Sequence, residues 1–261
     1  MEWDVLFGLM LANFDPLRMT HKTKGIVLRA IKYGETSLVV TMLTELFGVQ
    51  TYMVNGVRSS KKGPAKANLF QPGAVLDLVV YHHEQKNMQR IKEFGWSVVY
   101  QNVLTDVIKN SIALYIVELL YKILKQPEKN EELFYFTEDV LRHLDTADKS
   151  VTANIPLYFA LHLPHFSGFR MNDDYDEEQN ILDLQEGFFV SAQPQHHYFI
   201  EGENAKLTSQ LLKVMQLAEL SIFKLSHSTR RKLLEHYHHY YALHIQDFGE
   251  MKTMAVLQAV L

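Results

Sequence analysis

From Lys24 to Val98, short apolar runs alternate with polar positions and are broken by turn residues, the two-residue period of half-buried strands. The runs Gly25–Ile31, Ser37–Leu43, Val49–Val57, Val75–His82 and Met88–Phe94 predict five strands. Lys32-Tyr33-Gly34-Glu35, Leu46-Phe47-Gly48 and Glu84-Gln85-Lys86-Asn87 supply the short connections, and the stretch after Val57 supplies one long one. Gly25, Gly34, Gly48 and Gly56 fall where bends or close backbone approach are wanted, though each also reads as an ordinary turn glycine. Five short strands with a single long connection between the third and fourth match an OB-type barrel, in which closure removes most of the exposed edge.

After Asn102 the period changes to three and four. Val103-Leu104, Val107-Ile108, Ile112, Tyr115-Ile116 and Leu119-Leu120 predict an amphipathic helix to about Lys125, stopped by Gln126-Pro127. Asn130 offers an N-cap, and Glu131 and Glu132 complement the helix dipole ahead of a second helix over Leu133–Leu144. A third is expected from near Asn154, with Pro156 close to its start, to His165–Gly168. Residues 169–206 lose the helical period, and Thr208–Leu220, Ser228–Ile245 and Met251–Leu261 read as closing helices. The fold class expected is α+β, with a five-stranded OB-type β-barrel over residues 19–100 and a mostly α-helical domain over 101–261 that carries a cysteine-free insert near 169–206. Within residues 1–18 the run Trp3–Ala12 is apolar but lacks the positive n-region of a secretion signal, and Met19 precedes the regular pattern, so these residues read as an upstream extension outside the fold.

Charge sharpens this division. The formal net charge is −4, yet residues 19–100 hold 11 Lys and Arg against 5 Asp and Glu, whereas residues 101–261 hold 14 against 22. The densest cluster is the loop Arg58-Ser59-Ser60-Lys61-Lys62-Gly63-Pro64-Ala65-Lys66. Clustered cations on a small β-rich unit attract phosphate; a solvated loop that keeps an edge strand soluble is the competing reading. With 47% apolar residues and no cysteine, the chain stands on packing alone, without disulfides, thiolate zinc sites or a Cys nucleophile. No apolar run approaches the roughly 18 residues of a membrane span, so a cytoplasmic protein without a membrane partner is expected.

The sequence has no P-loop, no G-x-G-x-x-G after a strand and no G-x-S-x-G elbow. The run Asp173–Glu178 lacks the spacing and central Gly of a calcium loop, and His236, His238, His239 and His244 form no H-E-x-x-H pattern. A non-enzymatic protein with no cofactor and no metal is therefore expected. Arg230-Arg231-Lys232 opens the last long helix against its dipole, which reads either as a partner site or as paired surface charge.

Two segments resemble the bacterial RecO recombination-mediator family at its start: Thr23-Lys24-Gly25-Ile26-Val27-Leu28-Arg29-Ala30-Ile31-Lys32-Tyr33-Gly34-Glu35-Thr36-Ser37 and Thr44-Glu45-Leu46-Phe47-Gly48. Asn55-Gly56-Val57-Arg58, Leu69-Phe70-Gln71-Pro72-Gly73, Arg231–Tyr237 and Lys252–Leu257 extend the resemblance over nearly all of residues 19–261. It implies an N-terminal OB fold, binding of single- and double-stranded DNA, and annealing of complementary strands. It also implies contact with the C-terminal tail of single-strand-binding protein, and action with RecR to load RecA. One departure stands out: many members carry a four-cysteine zinc module in the helical domain, so a metal-free replacement is expected over Phe169–Phe199.

Single strands are held by backbone neutralisation and by bases stacked on aromatic rings. Lys24, Arg29, Lys32, Arg58, Lys61, Lys62, Lys66, Arg90 and Lys92 are the candidate cations, and Tyr33, Tyr52 and Phe70 the candidate platforms, with strand register deciding which rings face outward. For the acidic peptide tail, Arg230, Arg231 and Lys232 are the first candidates, with Lys109, Lys122, Lys125 and Arg142 as alternatives. A protein-interaction adaptor that holds acidic tails and binds little DNA remains the second reading.

Overall fold

A computed structural model describes residues 20–58 and 66–260. The N-terminal extension and Lys61 and Lys62 of the basic loop lie outside the described residues. The chain divides into two compact units, one running to Ser97 and taking in Pro127–Lys129, the other formed by Val98–Gln126 and the chain from Asn130 onward.

In the first unit β1 (Thr20–Tyr33), β2 (Ser37–Thr44), β3 (Gly48–Val54), β4 (Val75–Tyr81) and β5 (Gln89–Trp96) close a barrel in the order β1-β2-β3-β5-β4. Parallel pairing of β3 with β5 makes the closure, with Tyr52 opposite Gln89 and Met53 opposite Arg90. β1 is longer than its apolar run because it serves two partners: Thr20–Ile26 pairs with β4 and Gly25–Tyr33 with β2. Gly25 lies at the changeover, where a Cβ would press on Leu78 and Met42. A bulge then skips Leu28, so that Val27 pairs with Met42 and Arg29 with Thr41. The extra residue swaps faces: Val27 joins the core while Arg29 points to solvent.

β3 stops at Val54, short of the expected Val57, because Asn55-Gly56 turns the chain with Gly56 at φ 71°. Along β3 burial alternates strictly, with Gln50, Tyr52 and Val54 inside and Thr51 and Met53 outside. The barrel core gathers Val27, Val40, Met42, Tyr52, Leu76 and Val80, and a short 3-10 turn at Lys66–Phe70 adds Phe70 to it. Each of the Val, Leu, Met and Phe side chains contributes about 1.5–3 kcal/mol by leaving water.

The second unit contains α1 (Val107–Ile123), α2 (Glu131–Thr146), α3 (Lys149–His162), α4 (Gly202–Leu212), α5 (His227–His244) and α6 (Thr253–Val260). The starts of α1 and α3 differ from the periodicity, and a side-chain cap explains each of the two. Residues 101–103 do not begin α1, because their N–H groups donate to the Asp145 carboxylate; Asp106 caps the helix instead by accepting from the Lys109 N–H. α3 starts at Lys149 rather than near Asn154, since Asp148 accepts from the N–H groups of Ser150 and Val151, and Pro156 consequently sits inside the helix. Asn130 caps α2 as its position suggests.

The expected helix Thr208–Leu220 is broken into α4 and a 3-10 turn at Leu217–Ile222. Asn154, buried in α3, donates to the carbonyls of Leu220 and Phe223 and holds that turn against the bundle. Within residues 169–200, without helical period, lies a small sheet of β6 (Ile181–Asp183), β7 (Phe188–Val190) and β8 (Phe199–Ile200) in the order β7-β6-β8, whereas residues 202–206, expected to be non-helical, already belong to α4. No described helix is long and apolar enough to cross a membrane.

Candidate nucleic-acid interface

Directly paired residues in a sheet share a face, so the register of the barrel sorts its side chains. Three rows cross the outer face. Arg29, Thr41 and Thr51 form the first; Ile31, Val39, Met53 and Arg90 form the second, spanning β1, β2, β3 and β5; Tyr33 pairs with Ser37 at the third, where the Ser37 hydroxyl donates to Asn55 Oδ1 at 3.1 Å. Ile31 and Tyr33 are exposed large side chains, Tyr33 at 58%. The rows end at two loops: the β1–β2 turn that follows Tyr33, and the β4–β5 loop bearing Lys86 and Met88.

Beside the second loop a cleft of about 670 Å³ is lined by Met53, His83, Lys86, Met88 and Arg90 among others. Gln89 preorganises it: buried, it accepts from the His83 N–H at 2.9 Å and donates to the carbonyls of His83 and Lys86 at 2.8 and 2.7 Å. His82 stacks on Phe47 with ring centroids 3.8 Å apart, and burial followed by the neighbouring His21 lowers its pKa. Lys86 and Arg90 supply positive charge to the cleft. The outer face thus combines apolar floor, one exposed ring and cations at both ends, the chemistry that suits a nucleic-acid strand.

The candidate residues do not all reach this face. Arg29, Tyr33 and Arg90 do. Tyr52 is a correction: it is fully buried in the barrel core, its phenol raised above the ordinary value by burial, and it offers no face to a base. Phe70, 2% exposed and packed 4.8 Å from Phe94, is likewise internal. Lys32 pairs with buried Leu38 and so projects on the alternate side at the strand end, exposed. Lys24 lies opposite Asp77 in a separate cleft that also holds Glu45 and Glu93, and Lys92 is 3.5 Å from Glu93. Lys66 approaches the Phe94 ring at 5.9 Å. Arg58 donates from Nη1 to the Gly34 carbonyl at 2.9 Å and from its N–H to the Thr36 carbonyl at 3.0 Å.

Comparison with known proteins bears on this geometry. The model of the Recombination protein O N terminal matches residues 19–97, and that of the Recombination protein O C terminal matches residues 104–253. The chain belongs to the RecO family of DNA repair proteins. It is 33% identical over 238 residues to the DNA repair protein RecO of Christiangramia forsetii, covering 91% of this chain and 98% of that one. It is 34% identical over 249 residues to that of Flavobacterium psychrophilum, covering 93% and 99%, and 33% identical over 241 residues to that of Bacteroides fragilis, covering 92% and 98%.

In this RecO-family chain the basic triplet of α5 does not act as one patch. Arg230 Nε donates to Asn154 Oδ1 at 3.2 Å, Arg231 pairs with Glu235 at 3.0 Å, and Lys232 is exposed. Arg230 and Arg231 do line a pocket of about 260 Å³ with His227, Leu234 and Leu257, and no carboxylate lines it among the described residues. The alternatives on earlier helices are mostly committed: Lys109 Nζ donates to the carbonyls of Asp145 and Ala147, Lys122 Nζ to that of Phe248, and Arg142 pairs with Glu138 at 2.7 Å. The residues that composition missed are Met53, Lys86 and Met88, and for Met53 the signal was in the alternation: once Tyr52 is inside, Met53 must be outside.

Proposed function

We propose that this chain is a recombination mediator that works by binding rather than by catalysis, holding DNA on the outer face of its barrel. The observation that carries this reading is the four-strand row Ile31, Val39, Met53 and Arg90 between the turn that follows Tyr33 and the loop bearing Lys86, on the unit with the excess of cations. Apolar and aromatic side chains accept unstacked bases, while Arg29, Lys86 and Arg90 neutralise phosphates. A duplex engages the same cations through its backbone alone. Neutralising two complementary strands also lowers their mutual repulsion, which is the physical basis of annealing.

Membership of the RecO family extends the reading to its partners: RecR, the acidic C-terminal tail of single-strand-binding protein, and through them the loading of RecA in the bacterial cytoplasm. For the tail, the pocket beside Arg230 and Arg231 has a basic rim and an apolar floor, which supports an acidic peptide with an apolar end. The same pocket supports the second reading, an adaptor with little DNA binding. A salt titration of single-stranded DNA binding by the intact protein separates the two. The expected log–log slope is roughly −0.7 per phosphate contacted. A flat titration, with tail-peptide binding retained, favours the adaptor.

A further inference from the structure

Arg58 counts as a phosphate ligand on charge alone, but its contacts are of another kind. Its guanidinium donates to the Gly34 carbonyl at 2.9 Å, and its N–H donates to the Thr36 carbonyl at 3.0 Å. Both acceptors belong to the β1–β2 turn, where Gly34 sits at φ 57° and nothing lies within 4 Å of its would-be Cβ. The turn therefore has little packing of its own at Gly34. One residue earlier in the chain, the Val57 carbonyl accepts from the Ala67 N–H at 3.0 Å, which draws together the two feet of the basic loop. Arg58 thus stands where the foot of that loop meets the turn that follows Tyr33. The contact is exposed to solvent, but a planar guanidinium holds the direction of its N–H bonds and so fixes the Gly34 carbonyl.

We infer that Arg58 is a positioning residue: it holds the β1–β2 turn so that the Tyr33 ring stands at the end of the outer face, and it does not itself neutralise phosphate. This rests on the proposal that the outer face holds DNA. The consequence is a split between affinity and charge. Removing a phosphate ligand reduces the salt slope, whereas removing a positioning residue leaves the slope unchanged and loses the stacking it organises.

The test uses the full chain with Arg58→Met, which keeps the apolar stem, and with Tyr33→Ala alone and combined. Arg58→Met is expected to weaken binding of an oligonucleotide roughly fivefold, the low end of what one base–aromatic stack contributes. Its salt slope should equal that of the parent, and the double variant should bind no more weakly than Tyr33→Ala, because coupled residues do not add. A slope reduced by roughly 0.7, or losses that multiply, overturns the inference. Hydrogen exchange without DNA supplies a second readout: amides of residues 32–37 should exchange faster in Arg58→Met, and unchanged exchange there also overturns it. If the parent binds no DNA, the exchange result still decides the clamp, and only the outer-face proposal falls. Should Arg58→Met not fold, Arg58→Gln is measured in the same way.

Discussion

Asp145 shows how much one side chain settles in this molecule. It is 6% exposed, and its Oδ1 accepts from the N–H groups of Asn102 and Val103 at 2.7 and 2.8 Å while Oδ2 accepts from that of Gln101 at 2.9 Å. Burial pulls its carboxyl upward, but these N–H groups and the Lys109 ammonium outweigh it and hold the pKa below the usual carboxylate value. A carboxyl with a lowered folded pKa contributes stability that is complete above its unfolded value near about 3.9 and is lost as pH falls through the folded one. Asp145→Asn sets an amide N–H₂ against at least one backbone N–H and should cost roughly 2 kcal/mol at pH 7. Denaturant unfolding checks it, and the gap between variant and parent should narrow below about pH 4, where the parent loses the same contribution. A gap that is constant with pH refutes the role given to the charge.

At the scale of elements, register separates cations of equal charge. Arg90 ends the row formed by Ile31, Val39 and Met53, whereas Lys24, on the same barrel, faces Asp77 in a cleft with Glu45 and Glu93. Arg90→Ala should therefore lower the magnitude of the salt slope for single-stranded DNA by roughly 0.7, and Lys24→Ala should leave it unchanged. Equal slopes for both variants would place the strand elsewhere. The aromatic pair behaves in the same way: Tyr33→Ala removes an exposed ring, while Tyr52→Phe changes only a buried one. Fluorescence anisotropy with a labelled oligonucleotide separates all four variants.

For the whole molecule, the relevant quantity is the separation of charge between the two halves of the chain, positive over residues 19–100 and negative over 101–261. Lys61, Lys62 and Lys66 belong to the positive half, and changing all three to Ala should weaken DNA binding and flatten its salt dependence while moving the unfolding free energy by no more than about 0.5 kcal/mol per site. Loss of the folded state in a thermal scan would instead make that loop structural. The sequence by itself determined the five strands, the change to helical period after Asn102, the charge division and the family, because these rest on local alternation, composition and motif. It did not determine which face each strand turns outward. Gly48-Val49-Gln50-Thr51-Tyr52-Met53-Val54 carries apolar residues on both parities, so only closure against β2 and β5 sends Tyr52 inward and Met53 outward. Nor does local sequence reveal that Asp145 draws residues 101–103 away from α1, or that Arg58 clasps the turn at Gly34, since partners 42–44 and 24 positions apart meet only when the chain has folded.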